Sequence, residues 1–306
     1  MIRRYFFLYL ITVFTFSYAE FNATLLDEYH DEVCFWLVDT SNDIDAYFID
    51  SNESVSSTTY AELKFSSAVE TSRASEHEVR LRLRLNLPKL QKKFRLIFED
   101  EDSDDLSYDG TVLNDNYSIK NRNYFLRIEY LNYVRKKFHL TAGPGIRFRK
   151  STLHPYLNFK TKYYVEEGEV YQSLFFDRLR FYINGDVENT FGFDRFHRYN
   201  KKTYTLFHNT IGYKSWEENK KIVNSFSLLY HLAKDRELAI GTSVINQWDN
   251  RNINLDYVQL YSLYRDKLYK NWIYYELNPS LLWREENNYD MSARFMINIG
   301  MRFESH

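Results

Sequence analysis

Residues 77–87, HEVRLRLRLNL, constrain this chain more than any other stretch. Val79, Leu81, Leu83, Leu85 and Leu87 alternate with Glu78, Arg80, Arg82, Arg84 and Asn86. Successive side chains of a strand point to opposite faces, so one face is apolar and the other charged. The same period recurs. Ala293, Phe295, Ile297, Ile299, Met301 and Phe303 oppose Ser292, Arg294, Asn298, Gly300 and Arg302. Tyr124, Leu126, Ile128 and Tyr130 alternate with Phe125, Arg127 and Glu129. Phe138, Leu140, Ala142, Ile146 and Phe148 alternate with His139, Thr141, Gly143, Gly145, Arg147 and Arg149. Leu157, Phe159, Tyr163 and Val165 oppose Asn158, Lys160 and Lys162, and Ile273, Tyr275, Leu277, Leu281 and Trp283 oppose Glu276, Asn278 and Ser280.

Turn signals separate these segments, among them Pro88-Lys89, Glu167-Gly168, Asn184-Gly185-Asp186, Lys234-Asp235, Asp249-Asn250 and Glu285-Glu286-Asn287-Asn288. They delimit fourteen strands: 59–70, 76–87, 93–99, 123–132, 137–149, 155–166, 170–183, 187–198, 203–214, 221–232, 237–248, 253–264, 271–283 and 290–303. Twelve is the alternative, if weak segments within 170–214 merge into a loop. Asp177 and Arg195 fall on the apolar side of that region, which predicts a bulge or a shifted boundary.

Alternating segments of about ten residues separated by turns are the pattern of an outer-membrane barrel. A tilted strand needs about 9–11 residues to cross the apolar layer, whereas strands of soluble proteins are usually about 5–6. A secreted soluble sandwich also alternates, so three further features decide. Nearly all segments are long. The polar face carries Arg and Lys rather than Ser and Thr. Tyr and Trp recur near strand ends, at Tyr163, Tyr199, Tyr213, Trp216, Trp248, Tyr264, Trp272 and Trp283, where amphipathic rings collect at membrane interfaces. The expected fold is all-β: an antiparallel up-and-down transmembrane β-barrel in residues 58–306, integral to the outer membrane, with both barrel termini periplasmic.

The first residues read as a secretory signal over 1–19. Arg3 and Arg4 precede the uncharged stretch 5–16, and Ser17-Tyr18-Ala19 gives a cleavage site. Its removal takes two basic residues from 40 and leaves 42 acids, so 38 against 42 gives a net charge of −4. No basic excess points to nucleic acid. The single cysteine, Cys34, excludes an intrachain disulfide framework and a multi-cysteine zinc site. Residues 20–57 read as a periplasmic amphipathic helix and connector. Leu25, Leu26, Tyr29, Val33, Trp36 and Leu37 recur at helical spacing, and 51–59 is rich in Ser and Thr. Such a helix packs on the strands beyond it, or serves as a plug or docking element.

Two resemblances add to this reading. Phe295 to Phe303 resembles the C-terminal targeting signal of bacterial outer-membrane proteins, with Glu304-Ser305-His306 added after the terminal aromatic. The order helix, connector, LRLNLPKLQKKFRLIFEDE (83–101) and YSLYRDKLYKNWIYYELNPSLLWREENNYDMSARFMINIGMRF (261–303) resembles a family of uncharacterised Gram-negative outer-membrane β-barrel proteins. The resemblance implies a signal peptide, a short N-terminal helical segment and one barrel, and no particular activity. Leu87-Pro88, Trp272, Pro279 and Trp283 carry it as structural residues, with Trp272 and Trp283 as interface aromatics.

Chemistry is sparse. A lipid hydrolase needs a Ser nucleophile beside a His and an orienting Asn or Asp. The His-x-Ser-Asn-Gly stretch of the outer-membrane phospholipases is absent, and His139 and His208 read as lumen or rim residues. The acidic run 99–105 invites Ca²⁺, but Asp105 and Thr111 stand where an EF-hand needs Gly and Glu, so a solvated loop is expected. Residues 99–122 are expected to form the longest extracellular loop. No catalytic residue, metal site or cofactor is assigned. If the apolar face meets lipid, the lumen receives Arg80, Arg82, Arg84, Arg95, Arg127, Glu129, Arg147, Lys160, Lys162, Glu276, Arg294 and Arg302. Leu81, Leu83 and Leu85 then meet lipid. The expected partners are outer-membrane lipid, lipopolysaccharide and the barrel-assembly machinery. The oligomeric state stays open. Three functions fit: a structural barrel or small-solute pore with an Arg-rich lumen, a lipid- or lipopolysaccharide-modifying enzyme, and a scaffold that docks a periplasmic partner.

Overall fold

The alternating segments become strands that pair with their neighbours in sequence, and the first pairs with the last. The computed structural model describes residues 23–48, 59–71, 73–86, 95–100, 124–129, 131–149, 152–233, 236–249 and 251–304. A helix, α1 (Ala23–Phe48), precedes β1 (Tyr60–Glu70), β2 (Arg73–Asn86) and β3 (Arg95–Asp100). β4 comes in two pieces, Tyr124–Glu129 and Leu131–Arg135. Next come β5 (Phe138–Arg149), β6 (Thr152–Glu167), β7 (Tyr171–Tyr182), β8 (Val187–Arg198) and β9 (Thr203–Lys214). The last are β10 (Lys220–Ala233), β11 (Arg236–Trp248), β12 (Ile253–Tyr269), β13 (Ile273–Arg284) and β14 (Met291–Glu304).

β1 pairs antiparallel with both β2 and β14, from Tyr60 opposite Glu304 to Glu70 opposite Arg294. This closes a ring of fourteen strands, and the twelve-strand alternative falls away. Closure leaves no open sheet edge, which is what a strand structure surrounded by hydrocarbon requires. β1 starts and β14 ends at one rim, termed the terminal rim. The signal segment 1–19, residues 51–58 of the connector, Leu87-Pro88 and residues 101–123 lie outside the described residues, whereas Glu99 and Asp100, expected to open the loop 99–122, end β3.

The division of β4 has a local cause. Arg127 faces Gly145 while Leu131 faces Ala142, so β4 carries one more residue than β5 across the break. Gly143 sits against the carbonyl of Ile128 at this bulge, and a Cβ there would collide with it. The bulge expected near Asp177 and Arg195 lies instead on β6, where the register shifts between Tyr164 and Glu166 opposite Leu174 and Ser173. β7 and β8 pair without a break from Tyr171–His197 to Phe181–Val187, and β8 and β9 pair without one too. Asp177 and Arg195 therefore do share the outward side with Phe175 and Phe191. Asn189 donates to Asp177 Oδ1 at 2.7 Å, and the Arg195 guanidinium lies 5.5 Å from the Tyr171 ring centroid. β12 also runs five residues beyond the expected boundary at 264, to Tyr269.

The two faces of the wall differ sharply. Outward positions such as Phe65, Val79, Leu81, Phe159, Phe175, Phe191, Phe226, Ile240 and Leu260 are exposed. The largest fully buried side chains of the barrel point inward: Arg127, Arg180, Arg284, Tyr257, Phe125, Ile97, Leu174, Ile245, Leu282, Glu188 and Glu276. Inverted packing of this kind, with apolar groups outside and ions inside, is stable only where the outer face meets an apolar medium.

Helix α1 is longer than a short segment, at 26 residues. Leu37 and Ser41 are buried, whereas Leu25, Tyr29, Phe35 and Trp36 are exposed. The apolar positions 25, 26, 29, 33, 36 and 37 thus do not all face the barrel.

Candidate functional site

The inner wall gathers the charged residues into clusters that run along the strands. The first is built on β12, β13, β14 and β1. Glu276 takes hydrogen bonds from Arg265 Nε at 2.9 Å and Asn298 Nδ2 at 2.7 Å, and pairs with Lys64 Nζ at 2.7 Å. Nearer the terminal rim, Tyr274 Oη donates to Glu62 Oε1 at 2.6 Å, and Arg302 Nε stands 3.5 Å from the same carboxylate. The Arg302 guanidinium lies 4.5 Å from the Tyr274 ring centroid. Toward the opposite rim, Arg284 donates to Glu70, and Arg294 lies between Glu70 at 3.7 Å and Glu76 at 3.5 Å.

The second cluster lies on β4 to β8, at the opposite rim. Glu188 is met by Arg147 and Arg178 at 3.4 Å, by Arg180 at 3.2 Å and by Tyr182 Oη at 2.8 Å. Aromatic rings wall it in. Arg180 lies 4.1 Å from the Phe125 centroid, and Arg147 lies 5.2 Å from that of Trp216. Cation–π contact of this kind holds a guanidinium without neutralising it.

The remaining expected lumen residues sit as follows. Arg80 lies 3.4 Å from Glu78 and donates to Ser66 Oγ at 3.2 Å. The Arg82 guanidinium is 5.9 Å from the Tyr60 centroid, and Arg84 stands opposite Tyr60 in register. Arg127 and Lys160 flank Glu129 at 3.4 and 3.8 Å. Arg95 is in register with Glu129, and Lys162 with His139 and Phe176. Trp272 and Trp283 lie at opposite ends of β13, Trp272 just before it and Trp283 at its penultimate residue. Trp216 does not belong to an outer aromatic belt, because it packs inward on Tyr182. Leu85 points outward but is buried, not open to lipid.

Sequence reasoning missed Lys64, Glu70, Arg178, Arg180, Glu188, Arg265 and Arg284. It also missed the apolar part of the inner wall, where Leu206, Leu229, Ala239, Tyr261 and Leu263 form one cluster. The missing signal is alternation itself: where large apolar and charged residues both point inward, the period of two disappears.

One arrangement invites a hydrolytic reading. His208 stands in register between Asp194 and Ser225, with Nδ1 2.5 Å from Asp194 Oδ1. Acyl transfer needs the hydroxyl within reach of the imidazole and N–H donors free for the oxyanion. Ser225 Oγ is buried with no hydrogen-bond partner, and the backbone around it is spent in the sheet ladders. The group is a braced pair in the wall. Among the described residues, no three His, Cys, Asp or Glu side chains are placed to hold a metal ion.

A closed fourteen-stranded barrel with an exposed apolar outer face and a buried ionic inner wall defines an integral outer-membrane β-barrel protein, porin-like in architecture. No protein-family model matches the chain, and no curated protein matches its sequence. Solved structures do match its fold. OprB of Pseudomonas putida, solved at high pH, aligns with a TM-score of 0.50 at 10% identity, over 81% of this chain and 94% of that one. The monoaromatic hydrocarbon channel CymD gives 0.46 at 8%, over 82% and 88%. The porin KdgM in complex with disordered oligogalacturonate gives 0.36 at 7%, over 78% and 98%. At such identities the likeness to OprB speaks for the barrel fold alone.

Proposed function

We propose that the protein is a narrow small-solute pore that favours anions. The observation that carries this reading is the composition of the inward face. Guanidinium and ammonium groups from β1, β2, β4, β5, β6, β7, β12, β13 and β14 outnumber the carboxylates set among them. Three arginines share Glu188. Rings of Arg and Lys favour anions in a pore, through the field of fixed positive charge. Carboxylates between the arginines hold the long side chains against the wall and limit their mutual repulsion.

A second reading, a sealed structural barrel, is favoured by the burial of inward side chains such as Arg284 and Glu276 at 1% exposure each. Planar-bilayer recording of the refolded full chain separates the two. A pore gives discrete conductance steps and, in a KCl gradient, a reversal potential on the anion side. Arg82→Gln and Arg302→Gln shift that potential toward cations. A silent bilayer with demonstrably inserted protein supports the sealed barrel, and cation preference overturns the charge argument.

A further inference from the structure

Helix α1 lies along the terminal rim. Near its start, Lys270 Nζ in the turn between β12 and β13 stands 2.6 Å from Asp27 Oδ2, and Tyr269 Oη donates to the same oxygen at 3.0 Å. One turn on, the His30 ring stacks on Trp272 at 4.3 Å and on Phe303 at 5.4 Å, and its Nε2 is 3.1 Å from the Arg302 carbonyl oxygen. The helix also packs against β2. Phe303 belongs to the outward set of β14, with Ile299 and Phe295. At this rim the outward residues Ala61, Leu85 and Ile273 are buried, whereas Leu63, two residues beyond Ala61, and Leu81, four residues from Leu85, are exposed. The helix therefore lies against the outside of the barrel.

Its apolar stripe is wider than that contact. Leu26, Val33 and Leu37 are turned to the barrel side. Leu25, Tyr29 and Trp36 follow one another at spacings of four and seven, which places them on one line beside that face. They are 48%, 59% and 61% exposed. A strip of large apolar groups left open on a helix needs an occupant.

The barrel supplies the depth. Tyr264 and Tyr275 form an outward aromatic pair with ring centroids 6.1 Å apart. Tyr275 is two residues further into the wall than Ile273, which is about 7 Å along a strand. Tyr133, Tyr163 and Tyr230 are exposed on the same outer face toward this rim. Aromatic belts mark the headgroup level of a bilayer. The helix sits just beyond that belt, and its open stripe continues the lipid-facing surface of Leu63 and Leu81.

We propose that the Leu25–Tyr29–Trp36 stripe is a lipid contact, so that α1 is an interfacial helix laid in the phospholipid leaflet at the terminal rim. Amphipathic helices in this position bury their apolar side in the headgroup and acyl boundary. Residues 23–48 contain Asp27, Glu28, Asp31, Glu32, Asp39, Asp43 and Asp45, and no Lys or Arg. The matching lipid is therefore zwitterionic, and anionic headgroups repel the helix. The assignment is independent of whether the lumen conducts.

The test uses the full chain refolded into phosphatidylcholine vesicles, with or without bromine on the acyl chains close to the headgroup. Subtracting the spectrum of Trp36→Phe isolates the emission of Trp36. The expected result is blue-shifted emission, quenched severalfold by the brominated lipid and shielded from aqueous acrylamide. A Phe35→Trp, Trp36→Phe variant supplies a tryptophan one residue away, about 100° around the helix. It should be open to acrylamide and unaffected by bromine. Heat-modifiable mobility on gels confirms that each variant is folded. If Trp36 is open to acrylamide and insensitive to brominated lipid in the folded protein, the proposal is overturned, and the stripe is a surface for a soluble protein instead.

Discussion

Lys64 on β1 and Glu276 on β13 meet at 2.7 Å across the intervening strand β14, both from the inner wall. Glu276 also holds Arg265, so one buried carboxylate compensates two cations. Breaking a buried pair by removing one partner costs about 3–5 kcal/mol, because an uncompensated charge stays behind. Glu276→Ala should lower the folding free energy by an amount in that range, measured by urea titration in vesicles. Lys64→Met combined with Glu276→Gln should lose less, since Lys64 no longer needs a counter-charge and Arg265 stays in register with Glu237 on β11. A midpoint for Glu276→Ala equal to wild type would remove this cluster from the stability of the barrel.

The two faces of β2 make a second prediction, and the structure changes which residue tests it. Leu83 is level with Ala61 and Phe303 at the terminal rim, whereas Val79 is level with Phe65 and Ile299, near the middle of β1. An arginine on the lipid face costs about 2–4 kcal/mol at the midplane and about 0–1 near an interface. Val79→Arg should therefore impair folding into bilayers more than Leu83→Arg. Arg82→Leu should leave insertion intact and act on ion selectivity. Equal penalties at 79 and 83 would contradict the depth assigned to the rim.

Asp177 offers a third. It faces outward near the middle of β7 and is held by Asn189. A lone polar group in hydrocarbon costs free energy unless a partner satisfies it. Asn189→Leu should destabilise the barrel by about 1–3 kcal/mol, the cost of an unmade hydrogen bond at a buried acceptor. Asp177→Leu combined with Asn189→Leu should restore or exceed wild-type stability. If the single and double variants unfold alike, the pair is solvated by something other than its two members.

How far the sequence discloses the barrel and its site depends on what each strand face carries. β2, β13 and β14 place apolar residues outside and charges inside, and their boundaries and facing are legible to within a few residues. In β7 the inward set is Leu174, Phe176, Arg178, Arg180 and Tyr182, while Asp177 points out. Neither face is uniform, so no period marks it, and the Glu188 cluster stays hidden. The same reason hides Trp216, whose place in a turn suggests an interface ring but whose partner Tyr182 is inside. In α1 the stripe is legible and its use is not. Which half meets the barrel is fixed by Trp272 and Phe303, more than 230 residues away in the chain.

The attachment of α1 has a pH signature. The hydrogen bond from Lys270 holds the Asp27 carboxyl below its usual range, and the same bond raises the Lys270 ammonium. For Asp27, the contribution is present above the ordinary carboxylate pKa and is lost as pH falls through the lowered value. For Lys270, it is present below the ordinary amine pKa and is lost as pH rises through the raised value. Docking should be level across neutral pH and weaken below about pH 4 and above about pH 10. Hydrogen exchange of the helix amides, corrected for intrinsic rate, should show more opening at pH 3 than at pH 6. Lys270→Ala should reduce that difference, since Tyr269 still donates to Asp27, and Asp27→Asn should abolish it; a difference that persists in Asp27→Asn would place the titrating group elsewhere. Cys34 gives a second readout. Burial pushes its thiol up, so labelling by a water-soluble maleimide is slow at neutral pH and should quicken in Lys270→Ala.

The inner wall is packed partly by rings lying over glycines on the next strand. Tyr261 does this at Gly241, as Tyr274 does at Gly300 and Phe176 at Gly192. A Cβ on Gly241 would stand 2.5 Å from Tyr261 Oη and 2.7 Å from the Phe226 carbonyl oxygen. The ring tip could swing aside, but the carbonyl belongs to the β10–β11 ladder and could not. The Tyr261 hydroxyl is also committed to Ser227 Oγ at 2.9 Å, within the Leu206–Leu229–Ala239 cluster. Gly241→Ala should therefore cost about 1–3 kcal/mol, as overpacking does in a filled interior. Tyr261→Phe should cost about 1 kcal/mol, the net value of one hydrogen bond. Tyr261→Ala in the Gly241→Ala background separates the two neighbours of the added methyl group. If the ring is the main obstacle, removing it recovers part of the Gly241→Ala loss in a double-mutant cycle. If the carbonyl is, the two losses add. Wild-type stability for Gly241→Ala would mean that the wall yields at this point and that the interior is looser than its burial implies.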